Sequence, residues 1–185
     1  MEWRSPGPCL LSYSFSQRNQ VVDIPSMAGL RLAEQRKLEF EQVTKLIQEN
    51  DEEDSTVWGY PHVKIFNILT DHYNTDDPVP VLFYDVCSDS AAQKEAAWLR
   101  ENHPDFVVWC DMLDCMNVHE MFFRGGNRSG QRDIQEWLYE KTEDETYICI
   151  GQIENLFVFY LNDGQDPNYT YFENKNTICH TLLEK

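Results

Sequence analysis

The chain has 185 residues, 42% of them hydrophobic and 13% aromatic, which is enough to build one core and too much for general disorder. It carries 15 Lys and Arg against 32 Asp and Glu, a net charge of −17, and such a surface repels nucleic-acid phosphates and anionic lipid alike. That balance argues against direct nucleic-acid or membrane binding and favours a basic protein partner.

No apolar run approaches the roughly 18 residues of a membrane span, and the first residues lack the apolar centre of a secretory signal. The expectation is an intracellular protein, cytoplasmic or nuclear. In that setting the six cysteines (Cys9, Cys87, Cys110, Cys115, Cys149 and Cys179) are expected as thiols, several of them in apolar strands.

Residues 1–26 show no hydrophobic period and read as a flexible N-terminal tail, with Met27 a possible alternative start. Residues 27–56 read as an amphipathic helical arm and an acidic linker. The helix is expected over residues 28–50, with Leu32, Phe40, Val43 and Ile47 on one side and Arg36 completing the spacing. Glu41 precedes Lys45 by one helical turn, a favourable pair. Two uses of this helix stay open. It packs on the main domain, or it docks on a partner, in which case Phe40, Val43 and Ile47 are partner-binding residues. The acidic run Asp51 to Asp54 is a solvated linker.

Residues 57–185 read as one α/β globular domain. Its first stretch, residues 57–76, fits either a strand or a short helix and is expected to flank the sheet. The stretch from residue 79 is sharper. Val79, Val81, Leu82, Phe83, Tyr84 and Val86 form a near-continuous apolar run, the pattern of a strand buried on both faces. Ser88, Asp89 and Ser90 offer capping oxygens for a helix starting near Ala91 and ending at Asn102-His103-Pro104. Phe106 to Cys110 supply a second buried strand, so the unit reads as βαβ with parallel strands.

A short helix is expected between Asp111 and Gly126, then the loop Gly125 to Gln131, then a helix from Arg132 to Lys141. Strands follow at residues 146–152 and 156–161, with Glu154-Asn155 as the hairpin turn. A short strand at residues 170–172 and a helix at residues 177–183 end the pattern. Tyr169, Tyr171 and Phe172 either cover the sheet edge or form a partner-binding surface.

From residue 79 the order is therefore β, α, β, α, β, β, α. This order, a parallel pair followed by an antiparallel hairpin, resembles the thioredoxin-like fold. Cys87-Ser88-Asp89-Ser90 sits where the monothiol glutaredoxin-type members carry Cys-x-x-Ser, between the first strand and its helix. The resemblance implies a thioredoxin-like βαβαββα single domain with an N-terminal helical arm. It also implies a thiol chemistry in which Cys87 and Ser90 are catalytic and glutathione is the co-substrate. Two departures count against that chemistry. The family's cis-proline before the third strand is replaced by Glu145-Thr146-Tyr147, and Asp89 adds negative charge beside Cys87, which raises a thiol pKa. The positive end of the helix acts in the other direction.

His103, Cys110, Cys115 and His119 have zinc-ligand chemistry but not the spacing of a standard finger or knuckle, and buried cysteines with a surface histidine are the favoured reading, with no metal expected. Two classes of function remain, with a third behind them. The first is a non-catalytic, regulatory protein–protein interaction module, a degenerate thioredoxin-like domain that binds a basic partner and needs no cofactor. The second is a monothiol oxidoreductase using Cys87 with glutathione. The third is an acidic decoy of a nucleic-acid-binding protein. The missing catalytic features favour the first.

Overall fold

A computed structural model describes residues 18–72, 76–79 and 87–164, apart from the side chains of residues 113 and 114. Its sheet is built on strands whose side chains are buried on both sides, which is why they read as continuous apolar runs. β3 (Val57–Tyr60) and β4 (Phe106–Cys110) are buried at every position. β5 (Tyr147–Ile153) and β6 (Leu156–Leu161) form a hairpin whose turn holds Glu154 at φ 55°. The order across the sheet is β3-β4-β6-β5: β3 and β4 are parallel, and the other two pairings are antiparallel. The protein is thus a mixed α/β structure with a four-stranded mixed sheet.

Alternation along the strands sorts the core into two layers. On one face Val57, Phe106, Val108, Ile150 and Val158 pack with α1 (Glu34–Gln48) and α2 (Ile65–Leu69). On the other Trp58, Tyr60, Val107, Trp109 and Phe159 pack with α3 (Asp89–Asn102) and α5 (Arg132–Glu143). The aromatics concentrate on this second face: Trp58 stacks on Tyr60 at 5.7 Å and meets Trp137 edge-on at 6.1 Å. α4 (Leu113–Phe123) connects β4 to the loop before α5.

The N-terminal region differs from expectation. The helix begins at Glu34 rather than near residue 28, because the residues before it do other work. β1 (Gln20–Val21) and β2 (Arg31–Leu32) make a small antiparallel pair around a 3-10 turn at Pro25–Met27. Val22 and Ile24, in the stretch the sequence led us to expect as a flexible tail, are buried with Met27 in the first core layer. Phe40, Val43 and Ile47 lie in the same layer, and Phe40 meets Phe66 edge-on at 5.6 Å. Of the two uses of this helix, the structure shows the packed one. These three residues are buried in the core.

The central unit also differs in one respect. The parallel neighbour of β4 is β3, from the stretch expected only to flank the sheet, and the other side of β4 is taken by β6. The strand expected at residues 79–86 lies outside the described residues from residue 80 onward. β3 can serve because Gly59 lets the turn after it fold back closely: a Cβ there would stand 2.5 Å from the carbonyl oxygen of Val63. The helix after Cys87 follows the sequence closely. Ser88 caps α3 by accepting from the Ala91 amide at 3.2 Å, and His103 closes it in the left-handed conformation at φ 44°, one residue before Pro104.

Candidate functional site

Cys87 stands at the foot of α3, half-buried against the aromatic layer. Burial pushes its thiol up from the ordinary value. The Glu95 and Asp89 carboxylates push the same way, while Lys64 and the Ala92 amide oppose them. The net direction is away from the thiolate. Asp89 is itself held by other partners. It accepts from the Gly130 amide at 2.8 Å and from Arg124, and both keep its carboxyl below the usual carboxylate range. The α4–α5 loop comes close enough for this only because residue 130 is glycine, since a Cβ would lie 2.7 Å from the Asp89 Cα. Ser90 Oγ lies 3.1 Å from Ser88 Oγ, within the helix cap.

Behind Cys87 lies a cluster that the sequence did not single out. Lys64 Nζ donates to Glu95 Oε1 at 3.0 Å, to the Asp77 carboxylate and to the Val79 carbonyl. Three hydrogens thus meet three acceptors, from α3 and from residues 77–79. Trp58 Nε1 donates to the same Glu95 oxygen at 2.6 Å, and the Lys64 ammonium sits 5.8 Å from the Trp58 ring centre. Glu95 is fully buried, and its second oxygen, Oε2, has no hydrogen-bond partner among the described residues. Burial is the main reason its pKa rises to about 7; Asp77 adds to the rise, while Lys64 and Trp58 oppose it. One sign of this cluster is legible in the chain: Glu95 shares the α3 face of Ala92, Ala96 and Leu99, an apolar stripe in which a carboxylate is out of place.

The second feature is the end of α4. Val118 is 44% exposed, Met121 65%, Phe122 62% and Phe123 78%, while Met116 is the buried anchor of the helix. Polar bonds fix the orientation of α4. Glu120 accepts from Arg132 Nε at 3.0 Å and Nη2 at 2.8 Å, and from the Ser129 amide at 2.7 Å. Arg132 also reaches Asn117 at 2.6 Å. A two-pronged guanidinium–carboxylate pair sets angle as well as distance. It also holds the Glu120 carboxyl below its ordinary range. The sequence shows these residues as apolar, but it does not show that they face water.

The remaining candidates are scattered. Cys110 is buried at the end of β4, where its sulfur accepts from Asn155 Nδ2 at 3.2 Å. His103 stands before the other end of that strand, and Cys115 and His119 are on α4. Among the described residues no three of His, Cys, Asp or Glu are grouped to hold a metal ion. The four described cysteines, Cys87, Cys110, Cys115 and Cys149, form no disulfide. Tyr169, Tyr171 and Phe172 lie outside the described residues. No described helix is long and apolar enough to cross a membrane. Comparison of the chain with protein-family models, with curated proteins and with solved structures gives no match in any of the three.

Proposed function

We propose that this protein is a non-catalytic, acidic interaction module, a degenerate thioredoxin-like domain, that binds a basic protein partner through the end of α4. The observation that carries the reading is the run of three exposed apolar side chains, Met121, Phe122 and Phe123, with Val118 one turn before. A rigid apolar projection of this kind costs solubility and contributes nothing to the core, so contact with another surface is its natural use. Aromatic and methionine side chains are the types enriched at the centre of interfaces. The net charge of −17 sets the sign of the partner and lengthens the reach of the attraction. The thioredoxin-like part of the reading rests on the order of elements and on the parallel pair followed by the hairpin. Its non-catalytic part rests on Cys87, whose burial and carboxylate neighbours favour the inert thiol.

The test uses amphipathic peptides of one apolar pattern, flanked by Lys and Arg in one set and by Asp and Glu in the other. The basic set is expected to bind, and Phe122→Ser with Phe123→Ser to abolish binding. Binding is also expected to weaken as salt shortens the screening length from about 10 Å at 0.1 M to about 3 Å at 1 M. Equal binding of both sets, or binding untouched by the double substitution, would overturn the reading. A fast, glutathione-dependent disulfide exchange mapping to Cys87 would replace it with the oxidoreductase.

A further inference from the structure

We propose that Glu95 is a one-proton latch on the segment Asp77–Val79: with its proton it leaves a neutral Lys64–Asp77 pair closed against α3, and without it the segment is released. This stands independently of what α4 binds.

The argument begins with charge. One ammonium, Lys64, faces two carboxyl groups, and all three are largely shielded from water, with side-chain exposures of 14%, 7% and 0% for Lys64, Asp77 and Glu95. If both carboxyls are ionised the cluster carries one uncompensated negative charge in a low-dielectric place, which is costly. A single bound proton removes it. Burial and the hydrogen bonds say where that proton sits. Of the two carboxyls Glu95 is the more deeply buried, with 0% of its side chain exposed against 7% for Asp77, so it is the one that burial drives to the neutral form, with Oε1 accepting from Trp58 and Lys64. Among the described residues Oε2 has no donor pointing at it, which leaves it the oxygen with room for the hydrogen. Asp77 accepts from Lys64 on Oδ2 and from the Val79 amide on Oδ1 at 3.0 Å, as a carboxylate does.

The geometry also decides which part moves when the proton leaves. Glu95 is on a fourteen-residue helix that packs on α5 through Ala92, Ala96 and Leu99, so it cannot reach water without unfolding that layer. Lys64 precedes α2, which is anchored by Phe66 and Leu69. Asp77 is outside any helix or strand and has water close by on both sides, at the exposed Asp76 and Pro78. Repulsion between two carboxylates is therefore relieved by Asp77 turning outward, and the Val79 carbonyl goes with it. The other groups that face Glu95 do not take this role. β3 presents Trp58 and Tyr60, and the Tyr60 hydroxyl donates to Gln131 at 2.6 Å. The turn before α3 presents the Cys87 thiol, which burial keeps protonated. On α3 itself Asp89 is engaged by Gly130 and Arg124; α5 contributes Ile134, Trp137 and Leu138 to the layer, and its Arg132, near Tyr60, is paired with Glu120. The pKa of Glu95, about 7, puts the release near neutral pH.

Two readouts test the latch across mildly acidic to mildly alkaline pH. One is the indole N–H resonance of Trp58, assigned by its loss in Trp58→Phe. The other is amide exchange at Asp77 and Val79, corrected for the intrinsic rate at each pH. The resonance is expected to titrate near pH 7. Protection at the two amides is expected to fall, by up to about tenfold per pH unit, as pH rises towards that midpoint, and to level off above it. Glu95→Gln, which cannot ionise, should stay protected throughout. Asp77→Asn leaves one carboxylate for one ammonium, so its Trp58 midpoint should drop by more than about one unit. The latch is overturned if the Trp58 resonance does not titrate, if Glu95→Gln opens over the same range as the wild type, or if Asp77→Asn leaves the midpoint unmoved.

Discussion

The cluster around Lys64 and the end of α4 treat water in opposite ways. In the first, one ammonium and two carboxyl groups are drawn into an aromatic layer, with every hydrogen of the lysine satisfied. In the second, Met121, Phe122 and Phe123 are held out in solvent by a polar brace between Glu120 and Arg132. Each inverts the rule that apolar groups go in and charges stay out. Neither inversion helps the fold: a buried ion cluster is often no more stable than apolar residues of the same shape, and an exposed apolar patch invites aggregation. Sites that depart from folding logic without gain in stability are where function is to be sought. The difference between the two lies in what breaking them should do.

The largest effect is expected inside. Lys64→Met leaves two carboxyl groups with no counter-charge and should cost about 3–5 kcal/mol, read as a fall in denaturant midpoint. The loss should shrink at acid pH, where Glu95 carries its proton. A loss below 1 kcal/mol at neutral pH would mean that the cluster is already solvated. Trp58→Phe keeps most of the ring but removes the donor to Glu95, and should cost about 1–3 kcal/mol by the same measurement. A wild-type midpoint would show that the indole bond is not formed.

The pH dependence follows from the direction of the Glu95 shift. Its native pKa, about 7, lies above that of an unfolded glutamate, so between the two values the native state holds a proton that the unfolded state has lost. The Glu95 contribution is therefore full at low pH and is lost as pH rises towards 7. Asp89 and Glu120, whose carboxyls are held low, contribute in the opposite sense, with stability that is lost as pH falls. Only the difference between wild type and Glu95→Gln isolates the first effect. That difference should change steadily across the mildly acidic range, and a constant offset would refute the assignment.

The smallest effects on stability are expected at the surface. Phe122→Ser with Phe123→Ser should leave the melting temperature nearly unchanged, within about 0.5 kcal/mol per substitution, while binding of basic peptides is lost. A large destabilisation would show that the α4 end is packed after all. Cys87→Ser should likewise leave stability and binding nearly intact. If it abolished activity with the fold unharmed, the redox reading would take over.

The local elements were largely legible in the chain. The period and caps of α3, the start of α5, the two hairpin strands and the turn at Glu154-Asn155 all follow from residue types at fixed spacing. So did a buried character for β4, since a run of five apolar residues has no polar face to show. What the chain did not reveal was partnership. β3 is four residues long, and nothing local says that Val57 will lie against Phe106 rather than flank the sheet. The stripe of Phe40, Val43 and Ile47 was visible, but a stripe says only that one side of a helix seeks an apolar surface. The sheet supplies that surface within this molecule.

The same limit explains the site. Trp98, on the same helix as Glu95, is only partly buried, and Trp58 and Trp137 fill the layer. Lys64, Asp77 and Glu95 are far apart in the chain, and their shared hydrogen bonds exist only once α3 lies over β3. Local sequence determined which segments become helix or strand, because backbone preference and side-chain period act over a few residues. Tertiary structure alone decided which apolar faces are covered, which charges are buried together and which way the Cys87 thiol is pushed. Those depend on distances between segments, and desolvation and Coulomb energy follow distance in space, not along the chain.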